Sequence, residues 1–256
     1  MPNSKIVPGL YLVDKIRGGN VYLLANDELV LIDTGMPGNA GQILKFIKKL
    51  GRDPNELVCV IITHSHIDHM GSLSELQATT KFKTLAHENE MMSSSGGKYI
   101  LSPHLEGSRG IFLKLLVRFG VLKPSLVDLP LSDGQVLPYL GGLRVIHTPG
   151  HTKGSVCLFF EKSKVLFVGD TIINNEDRLS RPLPFGANRL NSERSLMKLT
   201  KFDFDICCFG HGHPLFSAKK KIGELVLNSP TSPIYWRIAR NWNRLIHFGL
   251  GVWRRK

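Results

Sequence analysis

The chain has 256 residues, of which 42% are hydrophobic and 21% are charged. This composition excludes a disordered or fibrous chain, and the length suffices for one sizeable hydrophobic core. The formal net charge of +12 would suit a nucleic acid, a membrane surface or an acidic substrate as partner. No apolar stretch is long enough to span a bilayer, and the N-terminus lacks the layout of a signal peptide.

The cysteines also bear on where the protein works. All four lie in apolar segments and none forms a Cys-x-x-Cys pair: Cys59, Cys157, Cys207 and Cys208. Cysteines of this kind indicate buried, reduced thiols. Since disulfides are rare where thiols stay reduced, we expect a cytoplasmic protein.

The N-terminal half is predicted to alternate strands with helices. Residues at 38–50 place their apolar side chains at helical spacing and end at Gly51, which predicts a helix. Turn residues separate the short aliphatic segments, which predicts strands. The predicted strands are 10–13, 21–25, 29–32, 57–62 and 81–86, with a further helix at 73–78.

Four potential metal ligands follow the buried strand at 57–62 directly. They lie within six positions of one another: His64, His66, Asp68 and His69. Because His64 and His66 are two residues apart, their side chains point the same way in an extended or tightly looped backbone. Imidazole and carboxylate groups suit zinc, iron or manganese. The run therefore predicts a metal site rather than a polar turn.

Three later strands end in the same manner, with glycine or proline punctuation around a histidine or an aspartate. They are 143–146, 165–168 and 206–209, followed by Thr148-Pro149-Gly150-His151, Gly169-Asp170-Thr171 and Gly210-His211-Gly212. Loops at strand ends hold functional residues firmly while leaving them accessible. With helices predicted at 192–200 and 219–227, each half is a strand-rich layer flanked by helices. This predicts an α/β fold, a four-layer αββα sandwich with the site at the shared edge.

These motifs, in this order, resemble the metallo-β-lactamase superfamily of dinuclear metal hydrolases over about residues 6–224. The Thr-Pro-Gly-His and Val-Gly-Asp-Thr motifs resemble in particular the hydroxyacylglutathione hydrolases, such as glyoxalase II, and related lactonases. The resemblance implies two divalent metal ions, zinc first, with iron or manganese as alternatives.

The resemblance also implies a role for each ligand. One metal would be held by His64, His66 and His151. The second would be held by Asp68, His69 and His211. Asp170 would bridge the two metals, and Asp33, in the segment Leu31-Ile32-Asp33-Thr34-Gly35, would brace the metal loop.

The remaining histidines are not expected to bind metal. His147 is predicted to be a core or supporting residue in its strand, and His213 a rim residue beside His211. His87, His104 and His247 have no motif around them.

A hydrolase domain is predicted over residues 1–228, with a helical insert or lid at 88–128. The insert contains a flexible Ser/Gly stretch at 93–97 and an almost wholly apolar helix at 110–120. That helix either packs on the core or forms a lipophilic wall over the metal cleft. A loop at 174–188 brings arginines that either bind an anionic substrate or face solvent: Arg178, Arg181 and Arg189.

Residues 229–256 form a basic tail that contains all three tryptophans of the chain. Residues 234–248 are predicted to form a C-terminal amphipathic helix with arginines on its polar face. Such a helix is typical of a membrane interface, which would place the protein at the membrane surface or in contact with lipid. The alternatives are docking on the domain and a homodimer contact. Nucleic acid is less expected, because the basic residues alternate with Leu, Ile and Phe.

The predicted reaction is the hydrolysis of an ester, thioester or lactone in a small-molecule substrate. Two metals lower the pKa of a bridging water, and the resulting hydroxide attacks the substrate. Asp68 and Asp170 are the predicted catalytic residues: Asp170 positions the hydroxide and Asp68 accepts a proton. The absence of Gly-x-Ser-x-Gly argues against a serine hydrolase.

The alternatives are a phosphodiesterase acting on RNA or phospholipid, a single-iron sulfur dioxygenase, and a binding protein with a vestigial metal site. The net charge favours the first, and the complete set of seven ligands argues against the last. His66 stands where flavodiiron proteins carry an acidic residue, which disfavours that group. The short, Trp-rich tail departs from glyoxalase II, whose C-terminal helical domain is longer.

Overall fold

Two β-sheets face each other in the computed structural model, and helices cover the outer face of each. The structure describes residues 4–94, 97–100, 124–176, 178–181 and 188–227. The predicted α/β fold with its αββα layers is confirmed.

The first sheet contains, in the described part of the chain, seven strands in the order β1-β2-β3-β4-β5-β6-β10. Strands β1 to β4 pair antiparallel, whereas β4, β5, β6 and β10 pair parallel. Their bounds are Lys5–Val7 (β1), Leu10–Leu12 (β2), Tyr22–Ala25 (β3), Leu29–Ile32 (β4), Leu57–Ile61 (β5), Lys83–His87 (β6) and Leu129–Leu131 (β10).

The second sheet has the order β11-β12-β13-β14-β17. Strand β13 is antiparallel to both β12 and β14, and β14 is parallel to β17. Therefore β12, β14 and β17 all run in the same direction and their carboxyl ends meet at one edge. The bounds are Val136–Leu137 (β11), Leu143–His147 (β12), Val156–Phe160 (β13), Val165–Gly169 (β14) and Ile206–Phe209 (β17).

The helices lie where apolar side chains recur at helical spacing. In the first long helix, Ile43, Phe46 and Ile47 are buried against the first sheet, and two lysines occupy the last turn. The helices are Ala40–Lys49 (α1), Ile67–Met70 (α2), Leu73–Gln77 (α3), Arg189–Leu199 (α4) and Ala218–Leu227 (α5). No helix among the described residues is long and apolar enough to cross a membrane.

Alternation along the strands divides the core into three apolar layers. In β14, Val165 and Phe167 face the first sheet, whereas Leu166 and Val168 face helices α4 and α5. Since successive side chains of a strand point to opposite faces, a strand buried on both sides must be apolar throughout. The sandwich thus fixes the strand ends, and with them the loops that follow.

The insert at 88–128 is described only near its two ends. It begins with a 3-10 turn, Glu88–Glu90, and the described segments that follow form a small sheet: Met91–Ser94 (β7), Gly97–Ile100 (β8) and Ser125–Leu126 (β9). Most of the stretch predicted to be flexible lies in the β7–β8 hairpin, because backbone pairing can order a Ser/Gly-rich segment. The predicted helix at 110–120 and the tail at 229–256 lie outside the described residues.

The loop after β14 is likewise partly regular. It forms a hairpin of Ile173–Asn175 (β15) and Arg178–Ser180 (β16), whose register pairs Ile173 with Ser180. Residues 182–187 of the predicted arginine loop lie outside the described part of the chain.

Candidate metal centre

Three histidine nitrogens meet at the carboxyl edge of the two sheets. His64 Nε2 lies 3.0 Å from His66 Nδ1, and His66 Nδ1 lies 2.8 Å from His151 Nε2. The first two histidines follow β5 and the third follows β12, so the group joins the two sheets. We call His64, His66 and His151 the first ligand group.

A second ligand group consists of Asp68, His69 and His211. His211 Nε2 lies 3.2 Å from Asp68 Oδ2 and 3.3 Å from His69 Nε2. Asp68 and His69 belong to the short helix α2, whereas His211 follows β17. This group too draws on both sheets.

Asp170, just beyond β14, lies between the two groups. Its Oδ2 is 3.5 Å from His151 Nε2 of the first group and 3.5 Å from His211 Nε2 of the second. Its Oδ1 is 3.3 Å from His69 Nε2. The carboxylate is buried, with 7% of the residue exposed, and its two oxygens approach nitrogens of both groups.

The donor atoms fit a divalent cation. Lone pairs of imidazole nitrogens and carboxylate oxygens converge within each group, with all ligand atoms inside 4.8 Å of one another. Three nitrogens cannot all be satisfied by protons shared among themselves, because each shared proton joins only one pair. Imidazole and carboxylate ligands suit zinc, iron or manganese.

The electrostatics differ between the groups. Burial lowers the pKa of His64 well below its ordinary value, and it lowers the pKa of His151 to about 4. In the second group burial acts in the same direction, but the Asp170 carboxylate outweighs it and raises the pKa of His211 to about 10. His69 is raised well above its ordinary pKa for the same reason. Without a cation, His64 and His151 of the first group are therefore neutral, whereas His69 and His211 of the second group favour the protonated form.

Asp33 supports both groups from beneath. Its Oδ2 accepts hydrogen bonds from His69 Nδ1 at 2.8 Å and from the Thr63 hydroxyl at 2.7 Å. Since the Thr63 hydroxyl donates to Asp33, it accepts from His64 Nδ1 at 3.1 Å. Both histidines thereby turn their Nε2 lone pairs toward the site, as predicted for this aspartate. Asp33 itself has a φ of +59°, an uncommon backbone conformation for a non-glycine residue.

The turn at 18–20 also supports the site, although its sequence predicted only a turn between two strands. The Asn20 side chain donates to the carbonyls of Phe209 at 3.0 Å and Gly212 at 2.6 Å, on either side of the His211 loop. The Gly19 N–H donates to the Asp68 carbonyl at 2.8 Å. A Cβ at Gly19 would lie 2.6 Å from the His69 ring, so the close approach requires glycine. Paired glycines before an asparagine were the available signal.

The competing histidines lie outside the ligand groups. His147 Nε2 hydrogen-bonds the Lys153 carbonyl at 2.9 Å, and its ring stacks on His87 with centroids 3.9 Å apart. His213 is exposed, and its carbonyl accepts from the Asn174 side chain at 2.8 Å. His104 and His247 lie outside the described residues.

Two arginines of the predicted anion-binding loop form ion pairs with Glu193 of the same protein. Arg181 Nη1 lies 3.6 Å and Arg189 Nε lies 3.0 Å from Glu193 Oε1 in helix α4. Arg181 is buried, contrary to a solvated loop, whereas Arg178 is exposed. The Arg181 ion pair connects the end of the β15–β16 hairpin to α4, whereas the Arg189 pair lies within α4 itself. A substrate role for the arginines stays a prediction.

Comparison with known proteins assigns the family. A model described as "Metallo-beta-lactamase superfamily" matches residues 15–211. The chain belongs to this superfamily. Similar proteins include probable metallo-hydrolases, and the chain is a hydrolase of the superfamily.

Among the similar curated proteins is the probable metallo-hydrolase YflN of Bacillus subtilis (strain 168). It is 29% identical over 219 residues, which cover 78% of this chain and 83% of the relative. The N-acyl homoserine lactonase AiiA of Bacillus thuringiensis subsp. kurstaki is 26% identical over 246 residues, covering 82% and 86%. Both alignments run through most of each protein.

Solved structures show the same fold. The metallo-beta-lactamase family protein TTHA1429 of Thermus thermophilus superposes with a TM-score of 0.67 at 22% identity, covering 96% of this chain and 85% of that one. The subclass B3 metallo-beta-lactamase MEM-A1, from a soil metagenome library, gives a TM-score of 0.61 at 19% identity, covering 93% and 95%.

The charge difference between the groups predicts proton-linked metal binding. Because ligand histidines must be neutral, binding to the second group should release protons at neutral pH, and affinity there should rise as the pH approaches the His211 pKa of about 10. Binding to the first group should release few protons. Titration calorimetry in buffers of different ionisation enthalpy measures this, with Asp68→Ala and His151→Ala each disabling one group. Equal proton release by the two variants would contradict the assignment.

A methyl group at Gly210 should disrupt the second group. A Cβ there would collide with Asp170 Oδ1 and lie 2.7 Å from His69 Cε1. We expect Gly210→Ala to weaken metal binding by about 10–100-fold, as changes to residues around the ligands do. The measurement is the amount of metal that the protein retains after dialysis against a chelator. Gly223→Ala is the matched control, because its Cβ would meet nothing within 4 Å on helix α5. Full metal retention by Gly210→Ala would show that the contact is unimportant.

Proposed function

We propose that the chain is a dinuclear metal hydrolase that cleaves an ester, thioester or lactone in a small molecule. The observation that carries this proposal is the position of Asp170, within 3.5 Å of a ligand nitrogen in each group. A carboxylate shared by two ligand groups is suited to two adjacent metals, for which zinc is our first choice. Seven residues would hold them: His64, His66, Asp68, His69, His151, Asp170 and His211.

The substrate class is supported by the relatives rather than by the site alone. One is named as an N-acyl homoserine lactonase and aligns over 82% of this chain. A lactone is a cyclic ester, so the same attack on a carbonyl carbon serves esters, thioesters and lactones. The resemblance of the Thr-Pro-Gly-His motif to hydroxyacylglutathione hydrolases supports the thioester alternative. The proposed catalytic unit is the domain at 1–228, placed in the cytoplasm.

The chemistry would divide between two divalent ions and the side chains that would hold them. When bound by the two ligand groups, the ions would supply an activated water and polarise the scissile carbonyl. The Asp170 carboxylate lies between the first and second ligand groups and would position the attacking hydroxide there. Asp68 is partly exposed, with 27% of its side chain accessible, and its Oδ2 can take up a proton and pass it to the leaving group. Asp33, directly at His69 and through the Thr63 hydroxyl at His64, holds both rings so that Nε2 is left to bind a metal.

A phosphodiester substrate is the second candidate, and the net charge of +12 favours it. Basic surfaces attract phosphate esters through long-range electrostatics. The same side chains would then orient a phosphorus centre instead of a carbonyl carbon. Substrate assays separate the two candidates directly.

The test joins metal content to turnover. We expect about two zinc ions per chain by elemental analysis, with hydrolysis of a lactone or a thioester and little of bis-p-nitrophenyl phosphate. His211→Ala should lose one metal and about 100-fold or more of the activity, whereas His213→Ala, the matched control, should keep both metals.

Other outcomes point elsewhere. Turnover of the phosphodiester alone would replace the proposed substrate class with the second candidate. A single iron without hydrolysis would indicate sulfur dioxygenase chemistry, and a protein that binds no metal would contradict the proposal altogether.

A further inference from the structure

A buried carboxylate connects the two loops that carry the first ligand group. Glu90 closes the 3-10 turn Glu88–Glu90 after β6, and only 4% of the residue is exposed. Its Oε2 accepts the Ser65 N–H at 2.8 Å and also the Ser65 hydroxyl. Its Oε1 accepts the Gly154 N–H at 2.7 Å. Each oxygen therefore serves a different loop.

The two loops are the ones whose spacing the first group depends on. Ser65 lies between His64 and His66, and Gly154 follows His151 by three residues. His66 Nδ1 and His151 Nε2 approach to 2.8 Å across the gap between the loops. A shift of either loop would open this gap, because His66 and His151 lie 85 residues apart in the chain and only the packing of the two loops sets their spacing.

The packing around Glu90 leaves the loops little freedom. A Cβ at Gly154 would lie 2.6 Å from Glu90 Cγ and 2.8 Å from its Oε1, so the backbone approaches the carboxylate closely only because residue 154 is glycine. Burial of a carboxylate is costly unless donors surround it. Three donors from two loops supply this compensation, and hydrogen bonds to an ionised acceptor are about twice as strong as neutral ones.

We propose that Glu90 is a positioning residue that sets the metal affinity of the first ligand group. The proposal rests on the metal centre of the proposed function, but it concerns a residue outside the seven ligands. The second group is supported by contacts that do not involve Glu90: the direct hydrogen bond from His69 to Asp33, which also supports His64 through Thr63, and the turn at 18–20. Loss of Glu90 should therefore weaken one of the two metal sites and spare the other.

Glu90→Gln is the most direct probe, since glutamine has nearly the same shape. Its amide has one oxygen, so the NH₂ group must face either Ser65 or Gly154, where an N–H donor already points. One loop is then released. We expect one of the two zinc-binding steps to weaken by about 10–100-fold, with the other within about threefold, by competition with a chromophoric chelator.

Two further variants separate positioning from general stability. Ser65→Ala removes only the hydroxyl donor and should weaken the same step by a smaller factor. If Ser65 acts through Glu90, the double variant should bind no more weakly than Glu90→Gln alone. Glu88→Gln is the matched control, because Glu88 is an exposed neighbour in the same turn. Its two affinities should equal those of the wild type.

The melting temperature of the metal-free protein shows whether Glu90 has only a structural role, because loss of such a role would lower it. If Glu90→Gln lowers the melting temperature of the metal-free protein and weakens both sites equally, the positioning role is wrong. Unchanged affinities in Glu90→Gln would also overturn it. Should Glu90→Gln not fold, a Ser65→Ala protein with wild-type affinity at both sites would overturn it instead.

The outcome is distinguishable from that of the proposed function. A wild-type protein that binds two metals but hydrolyses none of the substrates refutes the hydrolysis, whereas the Glu90 proposal is decided by the affinities alone.

Discussion

Five imidazoles and two carboxylates are held in near contact at one edge of the sandwich, and this crowding is the constraint on which the site depends. Nitrogen and oxygen atoms with lone pairs approach to between 2.8 and 3.5 Å. Such atoms repel one another unless a proton or a cation lies between them. The atoms stay this close because the ligands directly follow strands whose two faces are both packed against apolar side chains.

Rigid strands alone do not orient the side chains, and the loops supply the second requirement. Two buried carboxylates, Asp33 and Glu90, each accept hydrogen bonds from more than one segment around the site. Asp33 fixes ring tautomers, whereas Glu90 fixes the spacing of backbone loops. Asn20 does a similar task through its amide, which spans the His211 loop. The ligands are thus held in place by Asp33, Glu90 and Asn20, which are not themselves predicted to bind metal.

The features that could be predicted are those that appear as local sequence patterns. Apolar strands followed by glycine, histidine or aspartate predicted the layers of the sandwich. They also predicted that the seven ligands meet at one edge, and β12, β14 and β17 do run in the same direction. The choice of His151 over His147 followed from the resemblance, and geometry agrees, because His147 stacks on His87 instead. Asp33 was likewise visible in its motif.

The supports that were missed act over distance in the sequence. Glu90 meets Gly154 across 64 positions, through a backbone N–H that no side-chain pattern reveals. Asn20 reaches carbonyl groups near residue 210 in the same way. The insert was predicted to be helical or a lid on the strength of the apolar segment at 110–120, which lies outside the described residues. The described ends of the insert pair as strands β7, β8 and β9, which the sequence pattern did not predict.

Anomalous diffraction at the zinc edge, on crystals grown from zinc-loaded protein, would show whether the centre is dinuclear. We expect two anomalous peaks per chain. One should lie among His64, His66 and His151, the other among Asp68, His69 and His211, with the Asp170 carboxylate between them. A single peak, or a peak away from Asp170, would contradict a dinuclear centre.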